Sequence, residues 1–117
     1  MGKRIESPIK RFAGAVELKD PLPYPLALKY EEAVRQMVEV RDGREAKDMT
    51  GAEVARMYAP IIPVLVESVE VWDLQNFPEH PSAETFPGTP RVAVLYLLGW
   101  LINAVTEIYN GDSVPNA

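Results

Sequence analysis

His80 is the one histidine in the chain, in Pro78-Glu79-His80-Pro81 with a further carboxylate, Glu84, four residues on. An imidazole beside carboxylates is the starting set for acid–base work, a hydrolytic triad or part of a metal site. Each reading needs more than this chain supplies. A metal site wants further imidazoles or thiolates at fixed spacing, and the chain has no cysteine and no second histidine. A triad could draw on Ser68 or Ser82, but neither lies in a Gly-x-Ser-x-Gly turn. The carboxylate pairs Glu31-Glu32 and Glu67 with Glu70 fall on expected solvent faces of helices, where no apolar pocket would raise a pKa. Gly43, Gly51, Gly88, Gly99 and Gly111 are scattered singly and make no phosphate loop. The residues therefore predict no catalytic residue, no cofactor and no metal.

What exceeds expectation is aromatic and apolar surface. Trp72, Phe77 and Phe86 flank a proline-rich stretch, and Tyr96 and Trp100 lie one turn apart in an apolar segment. Tryptophan and tyrosine anchor interfaces because they bury much area for few rotatable bonds, and the same residues can complete a small core. These five are the candidate protein-interaction residues.

The chain that must position them is a single domain of 117 residues, 47% apolar and 25% charged. Lack of cysteine agrees with a reducing, intracellular compartment. The net charge of −5 argues against a general nucleic-acid surface. Lys3, Arg4, Lys10 and Arg11 against Glu6 make residues 1–12 about +3, leaving about −8 for the rest. That arm reads either as a clip onto an acidic surface, a neighbouring subunit included, or as a strand edge protected by cations. No apolar leader opens the chain. Val92 to Val105 is uncharged, but its fourteen residues would rise about 21 Å as a helix, short of a hydrocarbon core of about 30 Å. It reads as a buried helix, and the expected location is cytoplasmic.

Residues 1–24 read as an extended arm or short hairpin, with Ala15-Val16-Glu17-Leu18 alternating, closed by the stiff turn Asp20-Pro21-Leu22-Pro23-Tyr24-Pro25. A helical body is expected over 25–111. Its first helix starts at Pro25, carries an apolar face of Leu26, Tyr30, Ala33, Val34, Met37 and Val38, and ends at a left-handed Gly43. Thr50-Gly51-Ala52-Glu53 is a capping box for the second. Pro60 interrupts that helix and a third restarts there, its stripe Ile61, Leu65, Val69 and Trp72 favouring helix over the rival strand suggested by Val69-Glu70-Val71. Residues 73–88, with three prolines, form a long loop. Thr89 caps a last helix with Pro90 at its first position and Gly111 as its stop, and the tail 112–117 is expected to be disordered. The fold class is mainly α, a small α+β domain of three to four helices with an N-terminal hairpin or arm.

Ser7-Pro-Ile-Lys-Arg-Phe-Ala-Gly14-Ala-Val-Glu-Leu18, then Asp20-Pro-Leu22-Pro-Tyr24-Pro, then a helix with Tyr30-Glu31-x-Ala33, resembles the small tail assembly chaperones of long-tailed, siphovirus-type bacteriophages. The resemblance is sharpest over residues 5–40 and elsewhere covers only size and element order. It implies a non-enzymatic protein of the host cytoplasm that coats the helical tape measure protein, keeps it soluble during tail tube assembly and helps recruit tail tube subunits. It carries over no client-binding motif. The other reading is a phage or bacterial structural adaptor that oligomerises through its C-terminal helix. Both expect a homo-oligomer and a protein partner, with no nucleic acid and no membrane.

Overall fold

A computed structural model describes residues 2–113 of the chain. The N-terminal arm is a true hairpin. Strand β1 (Gly2–Glu6) runs antiparallel to β2 (Gly14–Lys19), with a one-turn 3-10 segment, Lys10–Phe12, in the connection. Two strands alone are marginal in water. Here a third, β3 (Val69–Leu74), pairs antiparallel with the other edge of β2, giving the sheet order β1-β2-β3. Ile5, Val16 and Trp72 stand in line across it and pack on the core. Strand alternation turns Arg4, Glu17 and Asp73 to the other face, where the Arg4 guanidinium lies 3.7 Å from Glu17 and 3.4 Å from Asp73.

The third strand corrects the helical stripe. Helix α3 (Ile61–Ser68) ends where the Ser68 hydroxyl donates to the Val64 carbonyl at 2.7 Å, and Val69 turns to extended backbone. Ile61 and Leu65 are buried on the helix, whereas Val69 and Trp72 belong to β3. The alternating run Val69-Glu70-Val71 gains a ladder with β2, a partner distant in sequence that local spacing cannot reveal. The loop expected at 73–88 accordingly starts after Leu74.

Helix α1 (Tyr24–Arg41) has Pro25 in its first turn, where a missing N–H costs nothing. Its left-handed cap is Asp42, at φ 50°, whose N–H reaches the Val38 carbonyl at 2.9 Å. Gly43, expected as the cap, follows at φ 72°. Helix α2 (Gly51–Tyr58) opens with the expected box: the Glu53 N–H donates to the Thr50 hydroxyl at 3.1 Å, and the Thr50 N–H donates to the Glu53 carboxylate at 2.9 Å. Ala59 and Pro60 keep helical dihedrals while the chain turns into α3.

Helix α4 (Arg91–Ser113) supplies the axis of the core: Leu97, Leu101 and Val105 are fully buried, joined by Val94, Leu98 and Ile108. Two details differ from expectation. The Val94 N–H bonds the Pro90 carbonyl at 2.9 Å, so Pro90 and not Thr89 takes the cap position. The helix also passes through Gly111 rather than stopping there, so Asp112 and Ser113 of the expected tail are helical and 114–117 lie outside the described residues. A glycine stops a helix only when it turns left-handed, and Gly111 does not. The stretch Arg91–Gly111 is long and apolar enough to cross a membrane, unlike the shorter segment read from sequence. In this fold its inner face is the core, and inserting it in lipid would strip Leu97, Leu101 and Val105 from Phe12, Val16 and Leu65.

Candidate functional site

The residues that could do chemistry are mostly tied up elsewhere. Ser68 is buried with its hydroxyl given to the Val64 carbonyl, and Ser82 is locked to Thr85 by reciprocal bonds within the loop. Glu67 pairs with Lys29 at 3.1 Å, Glu31 accepts from the Tyr109 hydroxyl, and Glu32 pairs with Arg35. His80 does share an open cleft of about 570 Å3 with Glu70 and Glu79, along β3. Glu84 is not in its lining. His80 and Glu79 are exposed, no hydrogen bond links the imidazole to a carboxylate among the described residues, and the lining offers no serine, threonine, cysteine or lysine as nucleophile. Among the described residues no group of three histidines, cysteines or carboxylates could hold a metal ion.

The five aromatic candidates separate into two sets. Trp72, Phe77 and Phe86 come together, half-buried, as an internal cluster with Phe12. Trp72 stacks on Phe77 at 4.9 Å, Phe86 meets both edge-on at 6.2 and 5.5 Å, and Phe12 closes the group 5.7 Å from Phe77. This cluster pins the long loop to the sheet. Tyr96 and Trp100 are apart from it on α4. Trp100 is half-buried against the core, while Tyr96 is 68% exposed and Val92, one turn before it, 61%.

An apolar departure from a closed core lies between α1 and α4. Sequence periodicity gives α1 one apolar face, but only Leu26, Tyr30 and Ala33 of it are buried. Val34 and Met37 are half-buried and Val38 is 63% exposed. They form one wall of a groove of about 370 Å3 whose other wall is Gly99, Ile102, Asn103 and Thr106 of α4, with Met57 and Tyr58 of α2 at its side. From Tyr30 to Arg41 the α1 wall extends about 17 Å, three helical turns. α1 and α4 meet here through side chains rather than close backbone approach: the Tyr30 and Thr106 hydroxyls are 2.7 Å apart, and the Tyr30 and Tyr109 rings stand 4.7 Å apart. Gly99 keeps the groove deep, since a Cβ there would meet nothing within 4 Å. Arg41 is the only charged residue of the lining. A three-turn apolar trough with two methionines, which repack around varied side chains, fits an amphipathic helix laid along it. The signal for it was present in sequence as an α1 apolar face wider than one core contact needs.

The basic arm lies against its own chain. Lys3 is 3.8 Å from Glu107 and Arg4 pairs across the sheet, so these two cations guard an edge strand, while Lys10 and Arg11 are exposed. Comparison of the chain with protein-family models, curated proteins and solved structures returns no match.

Proposed function

We propose that this chain is a tail assembly chaperone of a long-tailed bacteriophage, which binds the helical tape measure protein and keeps it soluble during tail tube assembly. The observation that carries the reading is the open groove between α1 and α4, apolar and three turns long. A long amphipathic helix in solution needs its apolar face covered, and many copies each burying a short stretch can do so with individually weak contacts. Weak contacts also let the coat be displaced as the tube grows. On this reading the protein is non-enzymatic, acts in the host cytoplasm and works as a homo-oligomer, with tail tube subunits as further partners.

The test is co-expression with a tape measure fragment that is insoluble alone, comparing the parent chain with Val38→Glu. The parent should keep the fragment soluble and co-purify with it, and the variant should lose both while its melting temperature is unchanged. Equal rescue by both proteins, or by neither, sinks the groove as the client site.

The exposed Val92 and Tyr96 on α4 favour a second reading, an adaptor that oligomerises through its C-terminal helix. In that case Tyr96→Glu dissociates the oligomer in sedimentation equilibrium, and the groove variant does not.

A further inference from the structure

A further recess of about 320 Å3 lies between α2, the start of α4 and the Phe86-Pro87-Gly88 turn. Val54, Ile62, Phe86, Leu95 and Leu98 wall it, and one charged side chain, Arg91, stands at its rim. In a chain of net charge −5, Arg91 makes no ion pair among the described residues, and no carboxylate lines the recess. The guanidinium rests over the first turn of α2, 3.7 Å from where a Cβ on Gly51 would stand. α4 begins at Arg91, so the positive end of that helix borders the recess. The loop side of the recess is held in place: Phe86 is fixed in the aromatic cluster, and the Ser82–Thr85 bonds brace the turn before it.

We infer that this recess is a binding site for a free medium-chain monocarboxylic acid. An apolar recess with one cation at its edge suits a ligand with an apolar body and a single negative end. The volume lies at the low end of small-ligand pockets, about 300–1,000 Å3, which suits a small amphiphile such as an eight-carbon acid. That body has about twice the carbons of a leucine side chain, so the recess fits a free acid better than the last residue of a peptide. The carboxylate meets Arg91, and the chain lies against Leu95 and Leu98. The site is separate from the α1–α4 groove, and its ligand does not depend on the identity of any client helix.

The experiment is calorimetric titration of the full-length protein with sodium octanoate, beside 1-octanol and a short peptide ending in a free leucine carboxylate. Octanoate should bind saturably at one site per chain and more tightly than either comparison. Arg91→Gln should weaken octanoate at least tenfold while leaving octanol unchanged, and Arg91→Lys should retain binding within about threefold. Ala55→Trp, an exposed lining position, should abolish octanoate binding at unchanged melting temperature. Absence of saturable octanoate binding, equal affinity of the Gln variant, or a preference for the peptide would each overturn the assignment.

Discussion

Glu53 shows how much one side chain can do at a helix start. It accepts the Thr50 N–H and receives the Arg44 guanidinium, and these together hold its carboxyl down to about 2 from an ordinary 4.5. A carboxyl depressed on folding adds stability that is complete above its unfolded value and is lost as pH falls through the folded one. The melting temperature of the parent should therefore fall more steeply between about pH 4.5 and 2 than that of Glu53→Gln; parallel curves would remove this account. At neutral pH, Thr50→Ala should cost about 1 kcal/mol by denaturant unfolding, the usual worth of a hydroxyl cap. Tyr109 is the opposite case. Its hydrogen bond to the Glu31 carboxylate, then burial, raises the phenol above its ordinary value, so this contribution is present below about pH 10 and is lost as pH rises through the folded value. Glu31→Gln should return the Tyr109 titration, followed by NMR, to the normal phenol range.

At the scale of elements, two glycines make opposite predictions. Gly14 begins β2 at φ 131°, and a Cβ there would stand 2.0 Å from the Asp73 carbonyl oxygen. Only glycine lets β3 lie this close, so Gly14→Ala should destabilise the fold by at least about 2 kcal/mol in denaturant unfolding. Gly99 sits in mid-helix facing open space. Gly99→Leu should stabilise α4 by up to about 1 kcal/mol from helix propensity alone, while filling the groove and abolishing client binding. Loss of both stability and binding would mean that α4 tolerates nothing there and would say nothing for a groove. The α3–β3 boundary shows where local reading stops. Ile61 and Leu65 obey the helical stripe, but four residues later the same spacing is coincidence, because pairing with Val16 and Leu18 decides the conformation of Val69 to Trp72.

For the whole molecule, the aromatic residues divide by what they hold together. Trp72 joins the sheet to the long loop through Phe77 and Phe86, so Trp72→Ala should cost about 3 kcal/mol of stability. Tyr96, exposed on α4, should tolerate alanine within about 0.5 kcal/mol, and any effect of that change belongs to association. Trp100, half-buried, is read by both measurements together: an anchor loses more than about 2 kcal/mol of association free energy on truncation, and a core residue loses only stability. Sedimentation equilibrium across concentration should find a defined oligomer. A monomer at all concentrations would leave the α4 stripe without a seam and count against both assembly readings.

Local chemistry in the sequence determined the capping box at Thr50, the break at Pro60, the inner face of α4 and the extended run from Ala15 to Leu18. Each depends on neighbours within a turn or on strict periodicity, which the chain carries wherever it goes. Tertiary structure alone decided that Val69–Leu74 is a strand, that Trp72, Phe77 and Phe86 close on Phe12, and that Val34, Met37 and Val38 are left facing a groove. Apolar spacing says that a face will be covered. What covers it, and how completely, depends on the distance at which two remote helices come to rest, and here Tyr30, Thr106 and Tyr109 set that distance between α1 and α4.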